Sequence, residues 1–198
     1  MVTGTAAPRA RDALLLAAKE ELVQKGHAAV SLRAVARRAG LSHAAPAHFF
    51  GSRAGMLTAV ATEGFRSLAE ALHSAADDAA DAGEPALEAL GLGYIEFGLA
   101  HPALMDLMFR RSELDAGDAG LIGAQRAAIG HLRAALAAVV GSDSEEWALV
   151  SWAFVHGLVS LLREGALAEV AERNPDEVRA LARRLVVIFG GGLSADAR

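Results

Sequence analysis

Apolar residues recur at three- and four-residue intervals along most of the chain, the spacing of one helix face, and no stretch reads as a convincing strand. The first such run, Leu14, Leu15, Ala18 and Leu22, predicts a helix over about Pro8–Lys25. Ser31 is a good N-cap for Leu32, Val35 and Ala36, and Gly40 supplies the left-handed residue that ends this helix after about two turns. After a turn of about three residues, Ser42 is placed to cap a second short helix, Ser42–Phe49, which needs neighbours to persist in water. Two short helices on a tight turn are the form in which many small proteins present side chains to the major groove of DNA.

Ser52 predicts the start of a long helix to about Ala80 on Met56, Leu57, Val60, Phe65, Leu68 and Leu72, with the polar stretch ADDAADAGEP as its break. Pro85 opens a helix carrying Leu87, Leu90, Tyr94, Ile95 and Phe97, which the His101–Pro102 step interrupts. A short helix PALMDLMFR follows, then a loop from Glu113 to Gly120 and a helix over Leu121–Val140. Ser142 with Glu145 forms a capping box ahead of Trp147, Phe154, Leu158 and Leu161. Asn174, Pro175 and Glu177 mark the start of a last helix carrying Val178, Leu181, Leu185, Val186 and Phe189. The expected fold is all-α with about nine helices: a three-helix helix-turn-helix domain over residues 1–53 and a larger helical domain over residues 54–198.

Charge sharpens this division. Residues 1–53 hold eight Arg or Lys against three Asp or Glu, whereas the remaining 145 hold eleven against twenty-one. A net charge of −5 therefore conceals a basic head on an acidic body, the asymmetry expected if only the head approaches phosphates. The hydrophobic content of 53% is ample for a core, and 5% aromatics with twenty Gly suit close helix contacts better than a sandwich. The chain has no Cys, and its seven His show no HxxxH or HExxH pairing, so neither a metal site, a cofactor nor an enzyme is expected. No signal-like N-terminal run is present, and apolar stretches such as Ala134–Val140 fall far short of a membrane span, so the expected location is cytoplasmic.

The last two helices are apolar on more than one side. A four-helix interface between two copies is expected there, with Phe154, Leu158, Leu161, Leu181, Leu185 and Phe189 at its centre; burial of the pair within a monomer is the alternative. Tyr94, Phe97, Met105, Met108, Phe109, Trp152 and His156 lie on helices that would surround a common centre, and aromatics and Met with a few polar groups describe many small-molecule pockets. Each also has a plainer reading: Met105 and Met108 as core filler, Trp152 as a core plug, His156 as a hydrogen-bonded structural residue on the same face as Trp152, and Gly157 as a point of close helix approach.

Residues 11–57, with LLLAAKEELVQKG, SLRAVARRAGLS and HAAPAHFFGSRAGML in turn, resemble the DNA-binding domain of the TetR family of bacterial transcriptional regulators. The family pattern carries an aromatic that packs on the DNA backbone where this chain has Ala47, and a Lys at the start of the fourth helix where it has Arg53. YIEFGLAHPALMDLMFR, followed by WAFVHGLVSLL with Trp152, His156 and Gly157, resembles the C-terminal domain of a subgroup named for its Trp-His-Gly run. The resemblance implies a homodimer with a ligand cavity in each body. It points to a ligand-responsive repressor on double-stranded DNA, with an inverted-repeat operator and a mainly apolar effector. The alternative is a helical sequestering protein whose head has lost DNA affinity. On the first reading, Ser42 to His48, Ala47 included, enter the major groove, with His43 as base reader and Ala44 and Ala45 against thymine methyls. Ser31, His48 and Arg53 would then hold phosphates.

Overall fold

The computed structural model describes residues 6–141, 144–167 and 174–196. Nine α-helices and two 3-10 turns account for most of these residues. Helices α1 (Ala6–Lys25), α2 (Leu32–Arg38), α3 (Ala45–Phe50) and α4 (Arg53–Ala82) come first, with a 3-10 turn at His27–Ala29 between α1 and α2. Then come α5 (Ala86–Ala100), α6 (Pro102–Met108), a second 3-10 turn at Arg111–Glu113, α7 (Ala119–Val140), α8 (Ser144–Arg163) and α9 (Pro175–Asp196). The fold is all-α, as the periodicity predicts, and no strand occurs among the described residues.

Local chemistry fixes most helix ends. The Ser31 hydroxyl accepts from the Ala34 amide at 3.2 Å and caps α2. Gly40, at a φ of 67°, closes the same helix: its amide bonds to the Arg37 carbonyl and the Leu41 amide to the Ala36 carbonyl, the paired bonds of a Schellman motif. Helix α3 begins at Ala45 rather than Ser42, with Ala44 at the cap position and no side-chain cap. Pro46 explains the shift, since a proline has no N–H to give to a carbonyl four residues back and is tolerated only in a helix's first turn. Helix α4 takes in Asp77, Asp78 and Asp81 and ends at Ala82, within two residues of the expected Ala80, where Gly83 turns to a φ of 70°. Ser52 caps α4 through the Gly55 amide, and Asn174 caps α9 through the Asp176 amide, both at 3.0 Å. Asp118 starts α7 two residues earlier than expected, accepting from the Leu121 amide at 2.7 Å. Ser142 lies outside the described residues; Glu145, its expected capping partner, sits in the first turn of α8.

The chain divides into two compact units, residues 1–66 with 103–125 and residues 67–102 with 126–198. The first joins the described part of residues 1–53 to the start of α4, nearly all of α6, the second 3-10 turn and the start of α7. Its core is Leu14, Ala18, Leu22, Val30, Val35, Met56, Leu57 and Val60, all buried. Residues after α5 pack on the start of α4: Phe109 meets Phe65 edge-on at 5.5 Å, and a methyl added at Gly64 would come within 2.7 Å of the Met108 sulfur. In the second unit, Leu136, Ala148 and Leu193 form a core flanked by Leu87, Leu132, Val140, Trp147 and Phe189. Gly91 of α5 lies where a side chain would press against Val186 and Val155, so α5 sits close on α8 and α9.

Glu21 is the buried ion of the first unit. Although only 2% exposed, it accepts from Lys25 Nζ at 2.7 Å and Arg38 Nε at 2.8 Å, and these bonds hold its carboxyl below its ordinary range against the opposing effect of burial. Arg38 also reaches Gln24 at 2.5 Å and Glu20 at 3.3 Å, so one guanidinium fastens α2 to α1. Because the folded-state value is lowered, the stabilisation is complete above pH 4.5 and disappears as pH falls through the folded-state value. Glu21→Gln is expected to lower the neutral-pH unfolding temperature by several degrees, and the gap from wild type should close in acid. Thermal melts of both proteins from pH 7 down to about pH 3 check this.

Candidate functional site

The head presents a small, open surface. Ser42, His43, Ala44, Ala47 and His48 are exposed on the turn and α3, Ala45 is half-buried, and Pro46 is buried beneath them. Two contacts steady this short helix: the His48 and Phe49 rings meet edge-on at 5.0 Å, and the Arg11 guanidinium lies 5.5 Å from the Phe50 ring centre. Arg33 and Arg37 are exposed on α2 four residues apart and therefore share one face. Neither was among the sequence candidates, although the apolar set Leu32, Val35 and Ala36 already points them outward.

Arg53 is placed differently from the sequence expectation. Its guanidinium donates through Nε to the Val30 carbonyl at 2.8 Å, through Nη2 to the His27 carbonyl at 2.6 Å, and through Nη1 to the Glu113 carboxylate. It is tied to the loop before α2 rather than displayed for a phosphate. Ser31 is exposed, with its hydroxyl engaged at the α2 cap.

The seven candidate ligand residues separate. Met105, Met108 and Phe109 belong to the first unit, where both methionines are buried. Tyr94, Phe97, Trp152 and His156 belong to the second. There the Trp152 indole N–H donates to the Tyr94 hydroxyl at 3.2 Å, and that hydroxyl lies 2.9 Å from His156 Nδ1. Giving the phenol proton to Nδ1 satisfies both bonds and assigns His156 the tautomer with its proton on Nε2. Burial pushes the phenol above its ordinary range, with the Trp152 bond opposing. Burial, then the charge of Arg163, pushes His156 below its ordinary value. The plainer reading of His156 as a hydrogen-bonded residue matches this geometry, whereas Phe97 is buried with its ring against His101 at 4.8 Å.

Among the dimer candidates, Leu158 is only 5% exposed and belongs to the interior of the second unit. Phe154 and Phe189 stack on each other at 4.5 Å; Leu181 and Leu185 are half-buried; Leu161 is exposed. The exposed apolar side chains of α8 and α9 also include Leu149, Val150, Val187 and Ile188, which the sequence candidates did not contain. A methyl at Gly157 would meet no other helix within 4 Å among the described residues, so the close approach expected there does not occur among them.

Among the described residues, no three His, Asp or Glu are grouped to hold a metal, and no helix is long and apolar enough to cross a membrane. A family model described as "Bacterial regulatory proteins, tetR family" matches residues 14–60, and one described as "Tetracyclin repressor-like, C-terminal domain" matches residues 87–189. Among solved structures, a protein of unknown function from Rhodococcus sp. RHA1 is 32% identical over 89% of this chain and 93% of that one, with a TM-score of 0.73. A TetR-family transcriptional regulator from Streptomyces coelicolor shares the fold at 22% identity over 93% of this chain and 99% of that one, with a TM-score of 0.62. So does the TetR family repressor AlkX from Dietzia sp., at 19% identity over 95% and 97%, with a TM-score of 0.53. No curated protein matches the chain. With one family model spanning the helix-turn-helix pair and the other more than half of the chain, the protein belongs to the TetR family of bacterial regulatory proteins.

Proposed function

We propose that the protein is a transcriptional repressor that binds an inverted-repeat operator as a homodimer and responds to a mainly apolar small molecule. The observation that carries this reading is the bare outer surface of the turn and α3, with buried Pro46 behind it and exposed Arg33 and Arg37 beside it. His43 is its base reader, and Ala44 and Ala47 offer methyls to the groove wall. Arg33, Arg37, Ser31 and His48 face phosphates; Arg53 does not. Exposed Ala47 also favours a second reading, a sequestering protein with weak DNA affinity, because a methyl there leaves no group to grip the backbone.

The effector site lies in the second unit, on α5 and α8, with Phe97 and Trp152 as apolar wall and the Tyr94–His156 pair as its polar end. Trp152, His156 and Gly157 are the residues that support reading the chain within the Trp-His-Gly subgroup. Helix α6 follows α5 directly through His101–Pro102 and packs with the head, which makes that step the coupler between effector and DNA. The homodimer forms through α8 and α9, with Val150, Leu161, Val187 and Ile188 buried by the partner and Gly157 as the point of closest helix approach.

Selection from random duplexes at low salt is expected to yield an inverted repeat; recovery of no enriched sequence would favour the sequestering reading instead. Arg33→Ala or Arg37→Ala should weaken every duplex by a similar factor and reduce the salt slope by about one per head, whereas His43→Ala should change which bases are preferred. Sedimentation should show Val187→Lys/Ile188→Glu as a monomer, and a persisting dimer would move the interface elsewhere. Since His156 is lowered in the folded state, its contribution to stability is complete above its ordinary value of 6.5 and declines as pH falls below it. Unfolding temperatures measured between about pH 7.5 and 5.5 should fall less steeply for His156→Gln than for wild type.

A further inference from the structure

The loop between α1 and α2 has little regular hydrogen bonding of its own. Its 3-10 turn at His27–Ala29 is closed by two bonds of 3.3 Å, from Ala29 to Gly26 and from Val30 to His27, and Ser31 must then be delivered to the α2 cap. Arg53 supplies what the loop lacks, gripping the carbonyls of His27 and Val30 from the first residue of α4. Glu113 holds the third side of that guanidinium from the second 3-10 turn, sixty residues further along the chain. It also lies 3.5 Å from the buried His27 Nδ1, so one carboxylate spans both flanks of the loop. Glu113 is itself held in place: the Asp115 amide donates to the buried Thr58 hydroxyl at 2.8 Å, and the Glu113 amide to the Arg110 carbonyl at 2.9 Å.

We propose that Glu113 is a positioning residue for DNA binding, acting through Arg53 to fix the entry of α2 and with it the helix-turn-helix pair. The proposal rests on the reading of the head as a DNA-binding domain. A guanidinium forks to planar acceptors in a fixed geometry that an ammonium cannot reproduce, so three acceptors on two separate segments are locked relative to one another. Displacement of the residues after α6 is therefore delivered to the start of α2 through this carboxylate. Arg53 has all three nitrogens on acceptors, and turning to a phosphate would strand two backbone carbonyls and a carboxylate.

Full-length wild type, Glu113→Gln and Arg53→Lys test this by hydrogen exchange over residues 27–35 and by salt-dependent affinity for the duplex that wild type selects. Both variants are expected to exchange several-fold faster in that segment while the amides of α8 and α9 keep wild-type rates. Their Kd for the duplex should rise about tenfold with an unchanged salt slope, the scale of one lost charge-assisted hydrogen bond. Tighter binding by Glu113→Gln with a steeper salt slope, by about one per head, would overturn the proposal, since Glu113 would then be withholding Arg53 from phosphates. Wild-type exchange in both variants would overturn it as well. A wild type that selects no duplex would defeat the DNA-binding reading, and the exchange measurement would still decide whether Glu113 holds the loop.

Discussion

A helix of six residues cannot stabilise itself. Nucleation fixes several backbone torsions for each early hydrogen bond, and α3 ends before propagation can compensate. Much of the first unit can be understood as the answer to this shortfall. Pro46 is pre-set to helical φ and buried, Phe50 lies under Arg11, and α2, itself only seven residues, is fastened to α1 by the Arg38 guanidinium on a carboxylate shut away from water. Both Lys25 and Arg38 converge on the Glu21 carboxylate, so its removal would take away a buried charge that draws α2 onto α1.

Features that depend on near neighbours in sequence were legible from the chain alone. Gly40, Ser52 and Asn174 mark helix ends because capping is settled within about four residues, and the apolar period gave the helix order because 3.6-residue spacing is itself local. Ser42 misled because it has the right chemistry for a cap, while the position of Pro46 decides where α3 can begin. The end of α4 was legible to within two residues: it stops at Ala82 against the expected Ala80, since the exposed Asp side chains tolerate a helix and Gly83 ends it.

Long-range partners were not legible. Arg33, Arg37, Arg38 and Arg53 look alike on the page, yet the last two are committed to acidic partners seventeen and sixty residues away. The same limit divided the ligand candidates, because apolar periodicity says that Met105 and Tyr94 are buried without saying in which core. On α8 it marked Leu158 and Leu161 alike, although one is interior and the other exposed.

The outer face of α3 has a thermodynamic consequence of its own. Alanine has no rotamers to lose, and a histidine has only two side-chain torsions, whereas a long Arg, Lys or Gln in the same place would surrender up to about 2 kcal/mol of rotamer entropy on being held. A surface of Ala44, Ala47, His43 and His48 is therefore almost as ordered before docking as after it. The same poverty of torsions prevents it from reshaping itself to an ill-fitting surface. On the proposed DNA-binding reading, its discrimination would rest on whether the opposing contour already matches, and the entropic cost of docking would fall on the partner that must bend or narrow to meet it.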